Sequence, residues 1–113
     1  MRLIIKARKN LEAPQDVRAY AEEKIGKFKD RLPDLVLVEV ELSDTRGPKG
    51  GLDKVVDLTF NLPGEKKAIH LSERTENFKK SIDLIQEKFE REIEEYKEKQ
   101  TFQDTDHRLR EEV

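Results

Sequence analysis

The 113-residue sequence contains no cysteine and no tryptophan, and histidine occurs only twice. The absence of cysteine excludes disulfides, thiolate metal sites and cysteine nucleophiles. No apolar run approaches the roughly 18 residues that a transmembrane helix requires, and the opening residues reach a charge too early for a secretory signal. We therefore expect a cytoplasmic protein that has no membrane partner.

Motifs that carry chemistry are equally scarce. His70 and His107 are not paired with a nucleophile at a recognisable spacing, and the spacings typical of zinc and calcium ligands are missing. The glycines Gly47, Gly50 and Gly51 are not followed by the Lys-Ser/Thr of a phosphate-binding loop. The sequence predicts no enzyme activity, no metal, no cofactor and no small-molecule substrate.

Charge is what the sequence has in abundance. Charged residues make up 42% of the chain, and the formal net charge is −2. The charges are uneven, because residues 1–32 carry nine Lys and Arg against five Asp and Glu, whereas the remainder is acidic. This asymmetry indicates one anion-facing surface on an acidic body. The alternative is a solvated surface whose asymmetry is accidental.

Hydrophobic periodicity predicts the order β-α-β-β-β-α. Apolar residues recur every three or four positions in the two helical segments and alternate in the strands. The predicted strands are 2–8, 35–43, 53–62 and 66–71, and the predicted helices are 14–31 and 75–99, the second with Thr75 as N-cap. We expect an α+β fold in which a four-stranded sheet carries both helices on one face. Residues 1–100 would form the domain, and residues 101–113 a flexible C-terminal tail.

The first predicted helix carries a line of cations. Counted at about 100° per residue from Val17, four side chains fall between roughly 280° and 340°, beside an apolar stripe centred at about 40°. These four, which we call the basic strip, are Tyr20, Lys24, Lys27 and Arg31. Such a line can form one wall of a groove for a phosphate backbone. The alternative is that long side chains extend along the rim of the core.

On the second predicted helix, Lys88, Arg91 and Lys99 share one flank. The sequence does not determine whether that flank faces the basic strip.

The order and spacing of several short segments resemble those of the ribosome hibernation factors, which include the hibernation-promoting factor and the ribosome-associated inhibitor once called the sigma-54 modulation protein. The resemblance covers about residues 2–100. The segments that carry it are RLIIKAR at 2–8, VRAY at 17–20, KIGKF at 24–28, VEVELS at 38–43, NLPG at 61–64, SIDL at 81–84 and EKFER at 87–91.

The resemblance implies a non-enzymatic protein that binds the small ribosomal subunit in the channel for mRNA and for A- and P-site tRNA. It implies idling of ribosomes during stress, and contacts from basic side chains to rRNA. Carried over by position, the candidate contacts are Lys6, Arg8, Arg18, Lys24, Lys27, Lys88 and Arg91. Tyr20 and Arg31 join them as members of the basic strip. The free protein is expected to be a monomer.

The sequence departs from the family pattern in the second helix. Asn77-Phe78-Lys79 stands where family members usually have Asp-Met-Tyr, and Glu95 stands where they are often basic. Longer members carry a C-terminal domain that dimerises ribosomes, and we expect this chain to be a short form without it.

Two other functions remain open from the sequence. The α-β-β-β-α core is shared with double-stranded-RNA-binding domains, which carry a basic cluster at the start of the last helix. Lys79 and Lys80 form a weak version of that cluster. A structural or protein-interaction domain without an RNA partner is the other alternative.

Overall fold

The computed structural model describes residues 1–8, 14–44 and 53–112, with side chains in the last range as far as residue 98. Its elements are β1 (Arg2–Ala7), α1 (Gln15–Gly26), a 3₁₀ turn (Lys29–Arg31), β2 (Leu37–Asp44), β3 (Lys54–Phe60), β4 (Ile69–Thr75) and α2 (Phe78–Glu112). The predicted order β-α-β-β-β-α and the α+β class are confirmed. The glycine-rich connection between β2 and β3 lies outside the described residues.

The four strands form one sheet in the order β1-β2-β3-β4. β1 is parallel to β2, whereas β2, β3 and β4 are antiparallel neighbours. A parallel pair needs a crossover connection, and α1 supplies it. The register places Leu3 beside Val38 and Val38 beside Phe60. Since side chains alternate along a strand, aligned apolar rows cover one face of the sheet, and both helices pack there.

Three phenylalanines join the helices to the sheet in the centre of the core. The ring of Phe89 on α2 meets Phe28 edge-to-face at 5.3 Å and Phe60 on β3 at 4.9 Å. None of the three is more than 2% exposed. Edge-to-face pairs add about 0.5–1.5 kcal/mol each to the free energy gained from burial alone. We call this set the aromatic cluster.

α1 ends five residues before the predicted end of the helix. After Gly26 the hydrogen bonds change from the α-helical to the 3₁₀ pattern. The Phe28 N–H donates to the Ile25 carbonyl, and the Arg31 N–H donates to the Phe28 carbonyl. Glycine is a poor helix former, and such i→i−3 bonds are common at helix ends. Phe28 nevertheless stays buried, so the chain keeps its predicted inward face.

α2 begins later than predicted. Asn77, not Thr75, is its N-cap, because the Asn77 side chain accepts a hydrogen bond from the Lys79 N–H at 2.8 Å. Thr75 is the last residue of β4, and its hydroxyl contacts Ser81 and accepts from the Asn77 N–H. The helix continues to Glu112, beyond the predicted end at residue 99. The flexibility of residues 101–113 stays a prediction.

β4 begins at Ile69 rather than at residue 66. The chain turns at Pro63–Gly64, where Gly64 has a φ of 85°, a conformation that favours glycine. In the described part of the chain, no helix carries an apolar stretch that could cross a lipid bilayer.

The aromatic cluster should account for a large share of the stability. We expect Phe89→Ala to lower the free energy of unfolding by about 3–5 kcal/mol, since it removes the ring that joins the other two and leaves a cavity. Urea denaturation followed by circular dichroism measures the change. The exposed Glu87→Ala on the same helix is the control and should change the free energy by less than about 0.5 kcal/mol. Similar losses in the two variants would contradict this role of the cluster.

Candidate nucleic-acid interface

Of the four residues of the basic strip, only Tyr20 and Lys24 lie on α1 itself, whereas Lys27 and Arg31 come after its end at Gly26. The Lys24 Nζ lies 5.3 Å from the centroid of the Tyr20 ring. Beyond the end of α1, the Lys27 Nζ and the Arg31 Cζ lie 5.3 Å and 5.5 Å from the centroid of Phe28. Cations at such distances from a ring are attracted by about 0.5–1 kcal/mol at exposed sites. Two rings thus position three cations.

Tyr20 connects α1 to α2. Its hydroxyl donates a hydrogen bond of 2.5 Å to the Asp83 Oδ1. The bond to Asp83 is the main reason that the pKa of Tyr20 lies above its usual value, because the carboxylate stabilises the protonated hydroxyl. Tyr20 therefore connects the two helices through a hydrogen bond, and its ring also contacts the Lys24 ammonium.

The side of α2 that faces the basic strip carries carboxylates. We call Asp83 and Glu90 the acidic flank; Asp83 accepts from Tyr20, and the Glu90 Oε1 lies 3.7 Å from the Arg31 Nη1. Their spacing of seven residues places them on one side of the helix. Two of the four residues of the basic strip, Tyr20 and Arg31, therefore already contact a carboxylate of the protein itself.

Lys79 also lies beside Tyr20, although the sequence indicated it only as part of a weak basic cluster at the start of the last helix and not as a neighbour of the basic strip. Its Nζ lies 5.6 Å from the Tyr20 ring and 3.4 Å from the Asp16 Oδ2. The only signal was the spacing of Lys79, Asp83 and Glu90, which puts them on one side of α2. That signal becomes informative only when the side of α2 that faces α1 is known.

Lys6 and Arg8 lie on the outer face of the sheet, opposite the helices. Their side chains form ion pairs with Glu39 at 3.7 Å and Glu41 at 3.6 Å, because the parallel register brings β1 beside these glutamates of β2. The four residues line an open depression of about 320 Å³. The fold does not bring Lys6 and Arg8 together with the basic strip.

His70 pairs with Asp57 at 3.0 Å in the same depression. The described residues contain no group of three or more side chains that could hold a metal ion.

The last three predicted contacts lie on other sides of the helices. Arg18 is two residues from Tyr20, hence about 200° away around α1. The Lys88 Nζ pairs with the Glu73 Oε1 at 2.5 Å and lies 3.5 Å from the Ser72 carbonyl oxygen. Lys88 therefore extends over β4, and its flank of α2 does not face the basic strip. Arg91 is exposed on α2.

Comparison with known proteins identifies a family for this chain. The model of the family described as Sigma 54 modulation protein / S30EA ribosomal protein matches residues 3–101. Among curated proteins, no sequence matches the chain.

Two solved structures share the fold. The N-terminal domain of Protein Y from Thermus thermophilus is 23% identical with a TM-score of 0.66, and the alignment covers 85% of this chain and 99% of that one. A ribosomal subunit interface protein from Coxiella burnetii is 20% identical with a TM-score of 0.61, covering 86% and 98%.

The bond between Tyr20 and Asp83 yields a pH-dependent prediction. We expect Tyr20→Phe to lower the free energy of unfolding by about 0.5 kcal/mol at pH 7, a small value because the bond is solvent-exposed. Because folding raises the pKa of Tyr20, this contribution is fully present below about pH 10 and is lost as the pH rises through the folded-state value. The difference between wild type and variant should therefore shrink above pH 10.

Urea denaturation at pH 7 and pH 11 measures both values. Asp83→Asn supplies the second arm of a double-mutant cycle, and the two substitutions should be non-additive at pH 7. A constant difference at both pH values, or full additivity, would contradict this hydrogen bond between the helices.

Proposed function

The chain belongs to the Sigma 54 modulation protein / S30EA ribosomal protein family, and we propose on this premise that it is a ribosome hibernation factor. In this proposal it inhibits translation by occupying the mRNA and A/P-site tRNA channel of the small ribosomal subunit. The observation that carries the proposal is the family match, because residues 3–101 include nearly the whole core. The structure from Coxiella burnetii, itself described as a ribosomal subunit interface protein, supports the same scaffold.

The proposed mode of action is occupancy of the channel and requires no bond-making step. The basic strip supplies the main contacts: Lys24, Lys27 and Arg31 would each meet an rRNA phosphate. Their aromatic neighbours support this role, since Lys24 lies beside the Tyr20 ring and both Lys27 and Arg31 lie beside the Phe28 ring. Each phosphate contact releases counterions, so binding should weaken steeply as salt is added.

The other predicted contacts fit a protein that is surrounded by RNA. A channel has walls on more than one side, so Lys6, Arg8, Arg18 and Arg91 can contact rRNA although they do not share a surface with the strip. The side chains of Lys6 and Arg8 are 55% and 69% exposed. Exposed ion pairs contribute little, and a phosphate can therefore replace the carboxylate.

Lys88 is the weakest of the proposed contacts. Its partner Glu73 is only 21% exposed and lies at 2.5 Å, so this pair is better shielded from solvent than those on the outer face of the sheet. An rRNA phosphate would have to displace Glu73 before it could bind Lys88.

The partner is thus the small ribosomal subunit with its rRNA. We propose that the protein acts in the cytoplasm, where ribosomes are found, as a monomer when free and as part of a response to stress.

Sedimentation tests the proposal directly. Purified protein mixed with excess ribosomes at low salt should move with them through a sucrose gradient and should be released as salt rises. Protein that stays at the top at low salt would contradict ribosome binding. A plain RNA duplex serves as competitor: an affinity comparable with that for ribosomes would instead support a general double-stranded RNA-binding module.

A charge-reversal pair tests the basic strip. We expect Lys24→Glu with Lys27→Glu to weaken ribosome binding at least about tenfold, since two phosphate contacts become repulsive. The matched control is Lys66→Glu with Lys67→Glu, which changes the net charge equally at two exposed residues of the turn between β3 and β4. Equilibrium binding to purified small subunits measures both.

The control pair should lose less than about threefold. Equal losses in the two pairs would mean that net charge, not the strip, controls binding. No loss in either pair would favour a protein-interaction domain without an RNA partner.

A further inference from the structure

Arg31 is held by two groups, and the core fixes the position of both. Its guanidinium lies 5.5 Å from the Phe28 ring and 3.7 Å from the Glu90 carboxylate. Glu90 directly follows Phe89, which is fully buried and packs against Phe28. The aromatic cluster therefore fixes the backbone from which Glu90 extends towards Arg31.

The pair remains within reach of a competing anion. The side chains of Arg31 and Glu90 are 33% and 41% exposed. At 3.7 Å the contact is long for a charge-assisted hydrogen bond. A phosphate that approaches along the basic strip from Lys27 would therefore meet both a cation and the carboxylate that already holds it.

We propose that Glu90 is a specificity-determining residue of the basic strip, which keeps Arg31 from RNA until a correctly placed phosphate displaces the carboxylate. This inference rests on the proposed function. RNA that contacts only Lys24 and Lys27 is repelled by Glu90 and gains nothing from Arg31. RNA with its phosphates fixed in line, as in a folded rRNA surface, reaches all three cations at once and compensates for the displacement.

For a flexible single strand, binding at the same site costs more free energy. It must order an additional nucleotide and also displace Glu90 in order to gain one contact. Glu90 should therefore matter most for the binding of unstructured RNA, so that it favours the ribosome over other RNA in the cell.

Glu87 provides a matched control for Glu90. It lies three residues earlier on α2, is exposed, and forms no ion pair with the described residues. Glu87→Gln and Glu90→Gln remove the same charge from the same helix, but only Glu90→Gln releases Arg31. Any effect of net charge alone should be common to the two variants.

The experiment measures binding of wild type, E90Q and E87Q to poly(U) and to purified small ribosomal subunits over a range of salt. We expect E90Q to bind poly(U) about three- to fivefold more tightly, the range that a half-exposed ion pair allows, and E87Q less than twofold. For poly(U), the slope of log affinity against log salt should steepen by about 0.7 in E90Q, one additional phosphate contact on a single strand. The slope for the subunit should not change, because Arg31 already contacts RNA there.

Variants that also carry Arg31→Ala test the Arg31–Glu90 ion pair separately. When Arg31→Ala is present, E90Q should behave as E87Q does, because no arginine is left to release. Thermal melts confirm that each variant is folded.

The outcomes separate this inference from the proposed function. Equal effects of E90Q and E87Q would mean that Glu90 acts only as one of several negative charges on α2 and would overturn the inference, as would weaker RNA binding by E90Q. In both cases ribosome binding by the wild type would leave the proposed function standing. Wild-type protein that binds neither subunits nor poly(U) would overturn both.

Discussion

The edge-to-face packing of Phe28, Phe89 and Phe60 is the contact on which the remaining structure depends. It joins the end of α1 to α2 and α2 to the sheet, in a core where none of the three rings is appreciably exposed. The same rings also arrange the surface. Phe28 supports Lys27 and Arg31 from below, and Phe89 fixes the residue that follows it, Glu90. Stability and the placement of Lys27, Arg31 and Glu90 therefore have a common origin.

The basic strip and the acidic flank form a single electrostatic unit. Arg31, beyond the end of α1, pairs with Glu90 on α2, and Tyr20 on α1 donates a hydrogen bond to Asp83 across the same boundary. Although the net charge of the chain is −2, this side of it therefore brings cations and carboxylates together. Two acidic residues of α2, Asp83 and Glu90, are the partners of Tyr20 and Arg31 and help to hold these two members of the strip in position. Opposite charges at close range thus shape the surface more than the overall charge does.

Periodicity predicted the order of elements and the inward residues, because burial of alternating or helically spaced apolar side chains leaves few other solutions. One helix was predicted to carry all four residues of the basic strip, but α1 ends at Gly26, so that Lys27 and Arg31 lie beyond it, beside the buried Phe28. The flank of α2 that faces α1 was not predictable, so Lys79 was missed as a neighbour of the basic strip. The partners of Lys6 and Arg8 depend on the parallel register of β1, which no local pattern specifies.

The position of Lys88 has a consequence for how the molecule behaves at high concentration. β4 is an edge strand of the sheet, and edge strands offer unpaired backbone groups to which another chain can add a strand. The Lys88 ammonium lies 3.5 Å from the Ser72 carbonyl oxygen on this strand. An incoming strand would have to remove a charged, hydrated group from that edge before it could pair. A charge at the edge of a sheet disfavours the addition of a strand from another chain, so Lys88 has a structural role that needs no nucleic acid.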